Sequence, residues 1–153
     1  MLTTVHAAAG IVLAGRLKRP VWLIVAAFSS HLVLDALPHW DRILPYNLAS
    51  FFQPNWLWLD FALAGLVTFA LPAWFKLRRQ CLYWLGAFFA VLPDGLTFLD
   101  RFIDFNPWGW HDAFFALHGG IQLVVTFVPG ILFQLGTLAI MLFLFIHKAK
   151  QDV

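Results

Sequence analysis

The sequence predicts an all-α fold, an integral membrane helical bundle of about five segments, and three observations lead there. Residues of the AVILMFWYC set make up 61% of the 153 residues and charged residues only 12%. Soluble domains carry roughly 25% charged residues, which coat the water-facing surface. Apolar stretches recur along the chain, most of them near the ~20 residues that cross a bilayer. Eight of the ten lysines and arginines fall in the gaps after the first, third and fifth stretches, leaving only Arg42 and Arg101 toward the opposite face. The same composition excludes disorder, because so apolar a chain collapses. A formal net charge of +2 gives no electrostatic footprint for nucleic acid. The single cysteine, Cys81, excludes an intramolecular disulfide framework and any site of paired thiolates. Membrane lipids are the partner that remains.

The first segment, Leu2 to Gly15, is short: about 14 residues at ~1.5 Å each reach only ~21 Å. It tilts little, thins the bilayer, or dips in and packs against its neighbours. The second runs from Pro20, suited to a helix's first turn, to Leu37, where Pro38 stops it. The third extends from Pro54 to Phe75, with Pro72 bending its last turn. The fourth starts at Gln80, is interrupted at Pro93 and Gly95, and resumes as far as Phe102. The fifth begins between His111 and Gln122, kinks at Pro129-Gly130 and ends near His147. No basic stretch precedes the first segment as in a secretory signal. No repeat or low-complexity linker divides residues 1–153, which read as one domain.

Loops rich in lysine and arginine stay in the cytoplasm. Arg16, Lys18 and Arg19, then Lys76, Arg78 and Arg79, then Lys148 and Lys150 follow segments that emerge on one face. This predicts an N-terminus outside, a C-terminus inside, and a multi-pass protein of the cell membrane. Asp35, Asp41, Asp60, Asp94, Asp100, Asp104 and Asp112 fall toward the opposite, outer face, as do His6, His31, His39, His111 and His118. Aspartate contributes little to orientation, so these groups gather for another reason. The tryptophans divide into two belts: Trp40, Trp56, Trp58, Trp108 and Trp110 outside, Trp22, Trp74 and Trp84 inside.

The second segment ends His31-Leu32-Val33-Leu34-Asp35-Ala36-Leu37-Pro38-His39-Trp40-Asp41. His31 and Asp35 stand one turn apart on one helix face, where two ligands can grip one ion. His39 follows a proline that lets the chain turn back toward it. Asp41 can orient an imidazole or act as general base. In the fourth segment Pro93 and Gly95 flank Asp94, breaking the helix where a side chain meets a ligand. Asp100 is a second candidate base. His118 precedes two glycines that permit close backbone approach, and Gln122 follows one turn later. His6 sits among small residues that let its helix pack closely and turn the imidazole into the bundle. Asp60 is either a partner for a helix N-terminus or a further site carboxylate. Nitrogen and oxygen ligands without thiolates suit zinc, and also manganese or iron. The candidate metal ligands are therefore His6, His31, Asp35, His39, Asp94 and His118, with Asp41 and Asp100 as candidate catalytic carboxylates.

Three of these motifs are Thr3-x-x-His6-x-x-x-Gly10, the block from His31 to Asp41, and Leu92-Pro93-Asp94. Together they resemble the small membrane-bound metal-dependent hydrolases, the LexA-regulated inner-membrane hydrolase family, whose HxxxD motif is similar to that of zinc-dependent phospholipase C. The resemblance implies a multi-helix membrane domain with metal-bound histidine and aspartate, and metal-ligand roles for His6, His31, Asp35 and Asp94. That family's His-Arg and Thr-His-Ser stretches have no counterpart here, and His39 and His118 are the candidates to stand in for them.

The expected function is metal-dependent hydrolysis of a lipid-linked ester or phosphoester at the outer face of the cell membrane. Two alternatives use the same residues: a non-catalytic membrane protein with a structural metal site, and a haem protein with His31 and His118 as axial ligands. A cation-coupled transporter would need polar residues continuing toward the inner face, and the inner halves of segments two to five carry almost none.

Overall fold

The computed structural model describes residues 1–40, 56–103 and 111–152. Among them the fold is all-α, without a strand, and six helices form it. These are α1 (Thr3–Ala14), α2 (Pro20–Asp35), α3 (Trp56–Trp74), α4 (Gln80–Ile103), α5 (His111–Ile121) and α6 (Phe127–Asp152). Three stretches, Trp56–Trp74, Gln80–Leu99 and Phe127–Gln151, are long and apolar enough to cross a membrane. Helices α1 and α2, with 12 and 16 residues, fall short of that length.

Helix α1 lies in the middle of the bundle, against α2, α3, α4 and α6. Ten of its residues, Thr4 to Val12 and Ala14, are buried. A helix apolar on every side belongs inside protein, and one enclosed there has no need to match the thickness of the lipid. The expectation of a segment that packs against its neighbours describes α1. Small side chains make this possible. A Cβ placed on Gly10 would meet the Gly86 carbonyl oxygen at 2.4 Å, and one on Gly86 would meet the Gly10 oxygen at 2.4 Å. The α1 and α4 backbones thus touch directly, as small residues allow in membrane bundles.

The first amides of a helix have no partner within it, and deep in an apolar bundle water is not there to supply one. Asp60 of α3 does so for α1. Its carboxylate accepts from Thr3 N at 2.7 Å and Thr4 N at 3.0 Å, and the Thr4 hydroxyl lies 2.6 Å from Oδ1. Asp60 is therefore the dipole partner of another helix and not of its own. Gln134 of α6 adds a second clamp: Oε1 accepts from Leu2 N at 2.7 Å, and Nε2 donates to the Trp40 carbonyl at 2.8 Å. Asp60→Ala is expected to cost about 1–3 kcal/mol for the unsatisfied buried donors, read as an earlier thermal unfolding transition in detergent. Asp60→Asn, whose amide oxygen accepts but carries no charge, should fall between.

Three segments differ from the sequence expectation. Pro72 was expected to bend the last turn of its helix, yet the distortion lies one turn earlier, as a π turn at Leu66–Ala70. Proline has no N–H for the carbonyl four residues back, and the ladder re-registers before it. The fourth segment is one helix through Pro93 and Gly95, because packing against α1 and α2 holds it together. The fifth segment is two helices. They separate between Ile121 and Phe127, where Leu123 N donates to the Asp35 carbonyl (3.1 Å) and Val125 N to the His39 carbonyl (2.8 Å). Pro129 and Gly130 lie in the first turn of α6, and a Cβ on Gly130 would strike Trp40 N at 2.3 Å.

One end of the bundle is basic. Lys18, Arg78, Arg79 and Tyr83 line a cavity of about 240 Å³ there, and a Cβ on Gly15 would touch the Lys148 stem at 3.4 Å. The cation groups after the first, third and fifth segments thus meet at one end. Trp22, Trp56, Trp58, Trp74 and Trp84 are all exposed. Trp108 and Trp110 lie outside the described residues.

Candidate metal centre

At the other end, polar side chains from four helices converge. His31 and Asp35 occupy successive turns of α2, His6 comes from α1, Asp94 from α4 and His118 from α5. His6, His31 and Asp35 are wholly buried, and His118 nearly so. Asp94 stands at the mouth with 31% of its side chain exposed.

The inner contacts form a triangle. His31 Nε2 lies 3.0 Å from His118 Nε2 and 3.2 Å from Asp35 Oδ2, and His118 Nε2 lies 3.0 Å from the same oxygen. Asp94 Oδ1 is 3.5 Å from His31 Nε2 and 3.8 Å from His118 Nε2. One ligand atom from each of these four residues lies within 4.8 Å of the others, so the group could hold a metal ion.

The outward ring nitrogens define what faces inward. His31 Nδ1 is 2.8 Å from the Ala90 carbonyl oxygen, which can only accept. A neutral His31 ring therefore carries its hydrogen on Nδ1 and presents a lone pair from Nε2. The Thr97 hydroxyl donates to the Pro93 carbonyl at 3.0 Å and lies 3.3 Å from His118 Nδ1. Its single hydrogen is thus committed, so it accepts from His118 Nδ1, and His118 Nε2 also turns a lone pair inward. Two imidazole lone pairs and a carboxylate oxygen then face one another within 3.2 Å. Such a cluster calls for a positive charge at its centre. An ion ~2.0–2.1 Å from each ligand would hold them on tetrahedral edges of roughly 3.3–3.4 Å, close to the edges observed. Partners behind each imidazole that set its tautomer are the usual support of metal-bound histidine. Thr97→Val should lower metal affinity about 10–100-fold without changing the unfolding temperature, measured by competition with a chelator of known affinity.

Asp35 is the hub. Its Oδ2 faces the His31–His118 pair, and its Oδ1 lies 3.2 Å from His6 Nε2 and 3.4 Å from the Met1 α-amino group. The His6 ring stacks on His31, centroids 3.9 Å apart. Neither His6 nitrogen has a hydrogen-bond partner among the described residues. A buried imidazole so placed is costly unless something else meets it.

His6, His31, Asp35, Asp94 and His118 therefore come together, although the sequence spreads them over more than a hundred residues. His39 does not join them. It is buried, its Nδ1 donates to the Leu37 carbonyl at 2.8 Å, and its backbone pairs with Leu123 and Val125. Beyond Pro38 the chain runs extended along that pairing instead of turning back toward the ion site. Asp41 lies outside the described residues. Asp100 is on α4, six residues beyond Asp94, and its side chain is outside the described set. Sequence reasoning missed Thr97, the Ala90 carbonyl and Gln134. Thr97 stands one turn from Pro93, a signal that was available. A main-chain carbonyl leaves none. No protein-family model, no curated protein and no solved structure matches the chain, so the reading of this centre rests on its own residues.

Proposed function

We propose that this protein is a metal-dependent hydrolase of the cell membrane, acting at its outer face on a lipid-linked ester or phosphoester. The observation that carries the reading is the inward-facing set of His31 Nε2, His118 Nε2 and Asp35 Oδ2, with Asp94 partly exposed beside them. A mixed nitrogen and oxygen donor set suits zinc, and manganese or iron in second place. A bound divalent ion supplies a nucleophile by lowering the pKa of its water toward ~7, and polarises a carbonyl or phosphoryl oxygen.

The chain's own residues do the rest. The Ala90 carbonyl and Thr97 hold His31 and His118 in one tautomer, so both nitrogens stay aimed inward. Asp35, buried opposite them, turns Oδ2 to both imidazoles. Asp94, partly exposed at the mouth, would hold the ion on the side that a substrate meets. The exposed apolar sides of the long helices favour a substrate that arrives through the lipid. The outer location is supported by the gathering of cations at the opposite end. A haem is a poorer fit: axial nitrogens on opposite faces of a macrocycle stand ~4 Å apart at ~2 Å per bond, and these are 3.0 Å apart.

The test is hydrolysis by zinc-loaded protein in lipid nanodiscs, offered carboxylic esters and phosphodiesters with one acyl-chain anchor. Turnover should fall in Asp94→Asn by more than the ~100-fold that loss of an outer partner costs; in wild type it should be lost on chelation and return only when the metal is restored. Metal-loaded protein that cleaves neither ester class would overturn the hydrolase reading.

A further inference from the structure

We infer that the centre holds two divalent metal ions, with His6 serving the second and the carboxylates of Asp35 and Asp94 bridging between them; the inference rests on the metal reading above.

Both carboxylates divide their oxygens in the same way. Asp35 turns Oδ2 to His31 and His118, at 3.2 and 3.0 Å, and Oδ1 to His6 Nε2 at 3.2 Å. Asp94 turns Oδ1 to His31 and His118, at 3.5 and 3.8 Å, and Oδ2 to His6 Nε2 at 4.0 Å. One ion accounts for the first oxygen of each pair and for two histidines. It leaves the other two oxygens aimed at a third histidine, which has no hydrogen bond of its own among the described residues. A carboxylate spanning two nitrogen sets is the arrangement that bridges a metal pair.

The spacing agrees. His6 and His31 lie face to face with centroids 3.9 Å apart and planes 21° from parallel. Two-metal hydrolytic sites keep their ions ~3.5–4 Å apart, which near-parallel imidazoles at this separation match when each serves its own ion. With fewer protein donors and the partly exposed Asp94 at its edge, the His6 position is the more weakly held.

Metal content and magnetic coupling test this without an activity assay. Wild-type protein in detergent, loaded with Zn²⁺ and freed of excess, should hold two ions per chain by elemental analysis. His6→Leu should hold one, and His31→Ala should hold none. As a measurement that needs no variant, wild-type protein titrated with Mn²⁺ should give the spectrum of an exchange-coupled pair by electron paramagnetic resonance. One ion per chain in both wild type and His6→Leu, with an uncoupled Mn²⁺ spectrum, would overturn the second site and leave the single-metal reading standing. Two ions in both proteins would overturn it as well, because the second would then lie away from His6. No ion in wild type would end both readings.

Discussion

Asp35→Asn is expected to abolish stoichiometric metal binding. Asp35 touches all three histidines of the centre, with His31 and His118 on one oxygen and His6 on the other. Asparagine keeps the shape and the position at the end of α2 but removes the charge that opposes two imidazole lone pairs. It also brings an amide N–H₂ toward nitrogens already set to accept or toward His6. Affinity should fall by more than the ~100-fold that loss of an outer partner costs. Elemental analysis of protein purified without added metal reads the effect, and a detergent melt shows that the bundle still forms. His31→Ala should lose metal in parallel, since it removes both the inward nitrogen and the hydrogen bond to Ala90. Unchanged metal in both variants would overturn the centre as described.

Gly10→Ala is expected to be strongly disruptive, both to the bundle and to the metal centre. The added Cβ would stand 2.4 Å from the Gly86 carbonyl oxygen and 2.7 Å from Ala87 Cα. Both are main-chain atoms, so relief requires α1 and α4 to separate. Overpacking costs about 1–3 kcal/mol where side chains can shift, and here the cost belongs at the upper end or above it. The effect should reach the metal centre, because His6 lies one turn from Gly10 and Ala90 one turn from Gly86. Moving the two helices apart draws His6 off the face of His31 and loosens the carbonyl that orients it. The expected result is a lower melting temperature together with weaker metal binding. Gly65→Ala and Gly136→Ala are the controls. Nothing lies within 4 Å of a Cβ at either position, so each should be neutral, or stabilising through helix propensity.

Much of this protein is legible in its sequence, and the reason is composition acting through the bilayer. With 61% apolar and 12% charged residues, the chain satisfies its backbone polar groups in lipid by forming helices, and the long apolar stretches mark three of them. The HxxxD spacing also speaks for itself, because one helical turn sets His31 over Asp35 whatever surrounds them. The expectation that His6 faces the bundle rested on its small neighbours, and the buried α1 shows that same association of small residues with close packing.

Other features were decided only by the folded arrangement. His39 and His118 were both candidate ligands in the sequence, each a histidine beside helix-breaking residues. His118 meets His31 because α5 brings it across α2, whereas the backbone pairing of His39 with Leu123 and Val125 carries that imidazole away. Asp60 could have served its own helix or a site, and it serves α1 because α1 begins inside the bundle, where no water reaches its amides. Periodicity and spacing determine which residues share a helix face, since they act within a few residues. Which faces meet depends on contacts between helices tens of residues apart, such as the Gly10–Gly86 approach, and these are settled by packing and by the need to satisfy every buried polar group.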